Sequence, residues 1–188
     1  MKIFFDTEFT GLHKDTTLIS IGLVSETGET FYAELTDYDH NQVDPWIRDH
    51  VIANLKYPDG ECYGANCDGH GNLEVFGDKK LVRDQLCHWL NVFDSPQLIS
   101  DVSHYDMVLL IDLFGDAFKF TRYTGACAAC HDINQDIAKY YDVDEFQAFD
   151  KSREEILTEN AVSVTGEKHN SLYDAQVIKA IYEIVCER

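Results

Sequence analysis

The first apolar run of the chain predicts a central β-strand. Ile3, Phe4 and Phe5 follow one another with no polar residue between them, which is typical of a strand buried on both faces of a sheet. Two further runs, over residues 17–24 and 30–35, are separated by a turn that contains glycine. These runs predict an antiparallel hairpin beside the first strand.

Apolar residues at three- and four-residue intervals predict helices over much of the remaining chain. The predicted helices cover about residues 45–55, 78–93, 103–114 and 132–141, and a last helix starts near Ser171. Residues 97–100 are predicted to be a strand, 57–77 a loop, 118–130 at least one strand, and 142–159 a solvated region of helix and loop.

This alternation predicts an α/β fold with a mixed β-sheet. The sheet would combine an N-terminal antiparallel hairpin extension with parallel strands, and helices would flank it. The length of 188 residues suits one domain over residues 1–188 with its own hydrophobic core.

The charge balance restricts the kind of partner. The chain holds 34 acidic residues against 15 Lys and Arg, a formal net charge of −19, so its overall field repels a polyanion. This argues against a protein that grips long nucleic acid through many phosphate contacts. No apolar run approaches the ~20 residues of a membrane span, and strand pattern begins at Lys2. We therefore expect no membrane contact and a cytoplasmic location.

Candidate chemistry begins at the end of the first strand. Asp6 and Glu8 project to the same side, because side chains alternate along a strand. Two like charges at the end of a buried strand are unfavourable unless they share a proton or bind a cation, and hard divalent cations take such oxygen ligands. The alternative interpretation is that the two acids form only the polar end of a strand.

Two further acids stand at the start of predicted helices. Asp106 and Asp174 are each followed by apolar residues at offsets of three, four and seven, which predicts that both carboxylates face the core. The alternative is a capping box, because Ser103 precedes Asp106 by three residues and Ser171 precedes Asp174 by three. His169 lies five residues before Asp174, and a near-neutral imidazole beside such acids could act as a general base.

Three segments together resemble a known family. Residues 6–12, with the sequence DTEFTGL, are similar to the first motif of the DEDDh 3′→5′ exonucleases. Tyr105-Asp106 resembles the second motif, and residues 169–175, HNSLYDA, resemble the third. The order and span of the motifs fit the ribonuclease H-like exonuclease domain. Within it, residues 18–22 and 131–135 are most similar to the RNase AS and RNase T-like exoribonucleases.

The resemblance implies a metal centre. By it, Asp6, Glu8, Asp106 and Asp174 would hold two Mg²⁺ or Mn²⁺ ions, and His169 would deprotonate the attacking water. Two ions about 3.5 to 4 Å apart would activate the nucleophile and stabilise the leaving oxygen.

The resemblance also implies a substrate. Glu8 and the backbone of Thr7 would contact the terminal 3′-hydroxyl, and Phe9 and Leu12 would pack on the last bases, unless these two side chains only fill the core. The expected reaction removes nucleoside 5′-monophosphates from the 3′ end of single-stranded RNA, by a homodimer. The alternatives are a 3′→5′ DNA exonuclease of proofreading or trimming type and a non-catalytic nucleic-acid-binding module of the same fold.

Two features depart from this pattern. Asp101 is an alternative ligand near the second motif, and the cysteines have spacings that could bind zinc, which would add a structural site or indicate a zinc-dependent interaction protein. The candidate zinc ligands are Cys62, Cys67 and His70 in one group and Cys127, Cys130 and His131 in another. The alternative for the cysteines is reduced thiols without metal.

Overall fold

The computed structural model describes residues 1–57 and 63–186, and in these residues seven strands form one mixed sheet. The strands are β1 Lys2–Phe9, β2 Leu18–Ser25, β3 Thr30–Leu35, β4 Gly64–Cys67, β5 Leu73–Gly77, β6 Gln97–Ser100 and β7 Cys130–Asp132. Their order across the sheet is β4-β5-β3-β2-β1-β6-β7. β1 pairs antiparallel with β2 and parallel with β6, so it joins the hairpin to the parallel part. The predicted α/β fold class is confirmed.

Eight α-helices flank the sheet in the same described ranges. They are α1 Pro45–His50, α2 Lys79–Leu90, α3 His104–Phe114, α4 Ala117–Thr124, α5 Asn134–Tyr141, α6 Glu145–Asp150, α7 Arg153–Glu159 and α8 Ser171–Cys186. Asp44 and Asp78 cap α1 and α2 through their side chains, and Gly115 ends α3 with a φ of 87°. Of the described helices, none is both long and apolar enough to cross a bilayer.

The two faces of β1 face two separate apolar clusters. Ile3 and Phe5 pack into a cluster with Leu110 of α3, whereas Phe4 packs into another with Ile178 of α8. This alternation follows from the pleat of the strand. α3 and α8 therefore lie on opposite faces of the sheet, with β1 between them.

Three predicted segments differ from the structure. The helix predicted over 45–55 breaks after His50 into a 3₁₀ turn at Ile52–Asn54. The predicted loop over 57–77 contains β4 and β5. β5, which is the short apolar stretch at residues 73–77, pairs with β3, and β4 pairs with β5. The strand predicted in 118–130 is mostly the helix α4, followed by the three-residue β7. The acidic stretch 142–159, predicted to be helix and loop, forms the helices α6 and α7 with a short connection between them.

Candidate active site

Asp6 and Glu8 lie on the α8 side of β1, in register with Phe4. Asp6 pairs across the sheet with Gly22 of β2. A Cβ on Gly22 would lie 2.3 Å from the backbone of Ser171 and Leu172, so only glycine permits α8 to begin this close to the sheet. The close approach brings the start of α8, and with it Asp174, to the end of β1.

Asp174 links α8 to the loop that precedes it. Its Oδ2 accepts a hydrogen bond of 2.9 Å from the backbone N–H of His169. Carboxylate oxygens of Asp174 and Glu8 and a ring nitrogen of His169 all lie within 4.8 Å of one another. Two of the predicted ligands and the predicted base therefore converge at one point.

Asp106 reaches the same place from the other face of β1. It is 5% exposed, and its Oδ1 accepts hydrogen bonds from Thr7 N at 3.1 Å and Thr7 Oγ1 at 2.5 Å. Its Oδ2 accepts a third, of 3.1 Å, from Ser100 Oγ. Three donors from β1 and β6 thus fix a buried carboxylate whose side chain faces the core, as predicted.

The capping-box alternatives are wrong for both helices. Ser103 makes no side-chain cap bond at the start of α3. At the start of α8 the cap is Asn170, whose Oδ1 accepts from the backbone N–H groups of Leu172 and Tyr173. Ser171 instead forms a buried hydroxyl pair with Ser20 of β2. The two acids are therefore held for a purpose other than closing their helices.

Burial is the main cause that raises the pKa values of all four carboxylates, and neighbouring acids raise them further. Burial, followed by the charges of Asp106, Glu8 and Asp174, raises the pKa of Asp6. Burial, with Asp174 and Asp106, raises the pKa of Glu8 to about 8. Burial raises the pKa of Asp106 to about 6, against the donors on its oxygens, and that of Asp174 to about 7. Such a set of oxygens fits a hard divalent cation, because a cation relieves both the desolvation and the repulsion.

His169 stands at the rim of this acidic cluster in a left-handed conformation, with a φ of 64°. Burial lowers its pKa, and the nearby Lys168 and His50 lower it further. The imidazole is therefore mainly neutral at pH 7, which is the state that can accept a proton.

A cleft of about 550 Å³ opens above the carboxylates. Phe9 lies in its wall, where its ring stacks on that of Tyr105 at 5.3 Å, and Leu12 is 79% exposed at its edge. Leu12 is therefore not a core residue, and Phe9 is only partly buried. Both side chains can be reached from the cleft.

Sequence reasoning missed the far wall of the cleft. The junction of α6 and α7 lines it with residues from Phe149 to Glu154. The acidic composition of 142–159 had favoured a solvated stretch without a role. The usable signal was the presence of Lys151 and Arg153 between two helix patterns in a chain with few bases.

Asp101 has a cationic partner that makes it a poor alternative ligand. Both of its oxygens accept from the Arg153 guanidinium, at 2.6 and 2.8 Å, and Asn134 donates to Oδ1 at 2.8 Å. The two other cations at the cleft are also paired, Lys151 with Glu159 and Lys168 with Glu154. The cleft therefore presents no strongly basic track.

The candidate zinc groups do not assemble in the described residues. Cys62 lies outside the described ranges, and Cys67 and Cys127 are exposed. In residues 1–57 and 63–186 the one group of three or more metal-ligating side chains is Glu8, His169 and Asp174. Cys67, Cys87, Cys127 and Cys130 are free thiols.

Comparison with known proteins agrees with this geometry. The model of the Rv2179c-like 3′-5′ exoribonuclease domain matches residues 1–186. The 3′-5′ exoribonuclease Rv2179c of Mycobacterium tuberculosis (strain ATCC 25618 / H37Rv) is 32% identical over 117 residues, which are 61% of this chain and 62% of that protein. The aligned part thus spans about three fifths of that relative's length.

Solved structures show the same fold. The nuclease domain of 3′hExo, described as a DEDDh family member bound to rAMP, is 14% identical and has a TM-score of 0.62, with 97% of this chain and 90% of that chain covered. Pop2p of S. pombe, in a Mg²⁺- and Mn²⁺-bound form, is 15% identical with a TM-score of 0.61, over 100% of this chain and 83% of that one. With the family model matched over nearly all of its length, the chain belongs to the Rv2179c-like 3′-5′ exoribonuclease domain family.

Proposed function

We propose that this protein is a metal-dependent 3′→5′ exoribonuclease that releases nucleoside 5′-monophosphates from single-stranded RNA. The observation that carries the proposal is the convergence of acids from β1, α3 and α8 beside one histidine, in a chain of this family. A phosphodiester hydrolase needs a neutral base and a means of neutralising phosphate charge. His169 would be the neutral base, and the carboxylates would bind the metal ions that neutralise the phosphate charge.

Two Mg²⁺ or Mn²⁺ ions are the cofactors of the proposed reaction. Asp6, Glu8, Asp106 and Asp174 would hold them, since all four line one cleft and burial with neighbouring charge raises the pKa of each. When bound, the ions would lower the pKa of a water and stabilise the leaving oxygen. Pop2p, the structural neighbour with Mg²⁺ and Mn²⁺ bound, has the same fold.

His169 is the proposed general base. Its pKa is lowered by burial and by Lys168 and His50, so the ring can take a proton from water at neutral pH. The backbone N–H of the same residue is held by Asp174, which ties the position of the base to a proposed ligand.

The 3′-terminal nucleotide would bind along the wall formed by Glu8, Phe9 and Leu12. Glu8 offers a carboxylate for the terminal hydroxyl, and the exposed side of Phe9 and Leu12 offers an apolar surface for a base. The N–H and hydroxyl of Thr7 are both engaged with Asp106, so Thr7 supports a ligand rather than donating these groups to substrate. Because the cations at the cleft are paired with acids, we expect the enzyme to engage only a short 3′ segment.

The test uses single-stranded RNA labelled at either end, with matched DNA, in Mg²⁺, Mn²⁺ or EDTA. The expected result is a ladder that shortens from the 3′ end of RNA, requires divalent metal and is absent with Asp6→Asn. Faster cleavage of DNA would favour the DNA exonuclease alternative. Metal binding without cleavage of either polymer would overturn the proposal in favour of a binding module.

The proposal includes a homodimer, which follows only from the resemblance to RNase T-like enzymes. Light scattering on the purified chain at several concentrations would measure it. A mass near 43 kDa, twice the 21.5 kDa chain, is expected, and a constant mass of 21.5 kDa would exclude it.

A further inference from the structure

The loop that carries His169 is clamped on both sides of the histidine by one residue of the segment after α1. The Asn54 side chain donates to the carbonyl oxygen of Lys168 at 2.8 Å. Its backbone carbonyl accepts from the Asn170 side chain at 3.0 Å. Asn54 therefore holds the residue before and the residue after His169, a reciprocal contact across more than a hundred residues of sequence.

The imidazole itself rests against an aromatic pair on α1. The Trp46 ring meets the His169 ring edge-on, with centroids 5.2 Å apart and an angle of 73°. Trp46 in turn stacks on His50 at 4.8 Å and 15°. Edge-to-face contacts of this kind are a preferred geometry of aromatic rings, so they restrain ring orientation.

The clamp continues into the core beneath the loop. The Asn170 side chain also donates to the Tyr32 hydroxyl at 3.2 Å, and Tyr32 donates to the buried Glu34 at 2.6 Å. Glu34 further accepts from the backbone of Lys56. The segment after α1 is therefore anchored to β3, which makes it a rigid support.

We propose that Trp46 and Asn54 are positioning residues that set the orientation of His169 for catalysis. The backbone of His169 has a φ of 64°, a region that is unfavourable for a non-glycine residue. Contacts from outside the loop must therefore hold His169 in this conformation. They include the clamp by Asn54 and the hydrogen bond from His169 N–H to Asp174. These hydrogen bonds do not contact the imidazole ring of His169. The contact with Trp46 restrains that ring.

The proposal rests on the function proposed above, and its first test is a kinetic cycle. Trp46→Ala should lower kcat about 10-fold or more with little change in KM, because a misplaced base slows the chemical step. Trp46→Phe should restore most of the loss, and Asn54→Asp, which removes the donor to Lys168 at constant shape, should also lower kcat. Phe118→Ala, a change at an exposed aromatic on α4, is the matched control and should change neither constant.

The cycle is completed in the absence of the base. In an His169→Ala background, Trp46→Ala should have less than about a twofold further effect, since residues that act through one group are non-additive. An equal loss in both backgrounds would overturn the proposal, and a raised KM at constant kcat would make Trp46 a substrate contact instead. Full activity of His169→Ala would instead overturn the general-base assignment, so the two failures are distinguishable.

A second readout needs no turnover. In the metal-free protein, NMR should show a ring-current shift on a His169 imidazole proton, assigned by its loss in His169→Ala. The shift should disappear in Trp46→Ala and persist in Phe118→Ala, with the remaining amide spectrum preserved. A His169 resonance that is unchanged by Trp46→Ala would contradict the contact on which the proposal rests.

Discussion

The starts of α3 and α8 look alike in sequence and differ in structure. Each has serine three residues before aspartate and an apolar stripe after it. Asp106 of α3 is fixed by three donors from the neighbouring strands. Asp174 of α8 is bonded to the loop of His169. One acid is thus tied to the sheet, and the other to the proposed base.

The difference shows that the two acids are positioned by different parts of the fold. The donors on Asp106 come from Thr7 and Ser100, both buried in strands, so its position is set by the sheet. The position of Asp174 depends on Gly22, which lets α8 approach, and on the loop before the helix. We expect the α3 side to determine metal affinity and the α8 side to couple metal to general base.

The largest expected effect removes one charge from either helix. Asp106→Asn and Asp174→Asn should each lower kcat/KM by at least about 10³-fold, because each removes a proposed ligand of a metal ion. Such an ion would stabilise the charge of the transition state by several kcal/mol. The measurement is single-turnover cleavage of 3′-labelled RNA. Asp112→Asn, on the same helix as Asp106 but exposed, is the control. Near-normal activity of either variant would remove that acid from the site.

Loss of the base alone should be less severe. His169→Ala should lower kcat by about 10² to 10⁴, while calorimetric Mn²⁺ affinity stays within a few-fold of the parent. His88→Ala, at an exposed position of α2, should leave both unchanged. A large loss of Mn²⁺ affinity in His169→Ala would mean that the imidazole ligates metal, as its closeness to Glu8 and Asp174 permits.

The donors on Asp106 should affect metal affinity by a smaller factor. Thr7→Val removes the hydroxyl but keeps the shape, so Mn²⁺ affinity should fall about 10-fold, the usual effect of losing a bond to a ligand. Thr10→Val is the matched control, because Thr10 is also buried and hydrogen-bonded near the end of β1 but bonds to Thr17 and Gln42. Equal losses in the two variants would point to general loosening of the strand.

The smallest effect is on stability without metal. The pKa of Asp6 is raised in the folded state. Between the unfolded and folded pKa values, the folded protein therefore keeps a proton that the unfolded chain has released. In that range the free energy of unfolding falls as pH rises. This loss of stability begins near pH 4. For Glu8 and Asp174 it continues up to their folded-state pKa values of about 8 and about 7. Asp6→Asn should therefore raise the free energy of unfolding in EDTA at pH 8, and much less at pH 5.

Thermal unfolding in EDTA at both pH values measures this prediction. Asp101→Asn is a control with the opposite expected effect. Asp101 is paired with Arg153, so this substitution should lower the free energy of unfolding. Lower stability of Asp6→Asn at pH 8 would mean that the carboxylates are not repelling one another. Saturating Mg²⁺ should reverse the order of the Asp6→Asn and parent proteins, because only the parent keeps all four ligands.

The sequence predicted the parts of the fold that have a strong period. The apolar run at residues 3–5 and the hairpin after it became β1, β2 and β3, and the stripes after Asp106 and Asp174 became the buried faces of α3 and α8. α4 was missed because its eight residues show only two buried positions, Phe120 and Thr124. β5 was missed because its five residues come at the end of a glycine-rich stretch whose composition predicts a loop.

The candidate site was predicted in its acids but not in its surroundings. Asp6, Glu8, Asp106 and Asp174 are spaced by strand and helix periods that can be read locally. The clamp of Asn54 on residues 168 and 170, the Trp46 ring and the Arg153 pair with Asp101 join residues from 52 to more than 100 positions apart. Such contacts depend on tertiary packing, and no local period announces them. The single domain and the cytoplasmic location stay predictions.

The most direct test of the central claim is anomalous diffraction from a crystal soaked in Mn²⁺. The account predicts two peaks about 3.5 to 4 Å apart, both bonded to oxygens of the set Asp6, Glu8, Asp106 and Asp174, with His169 near but not bonded. A single peak ligated by the His169 ring, or peaks elsewhere with the four carboxylates bare, would contradict it.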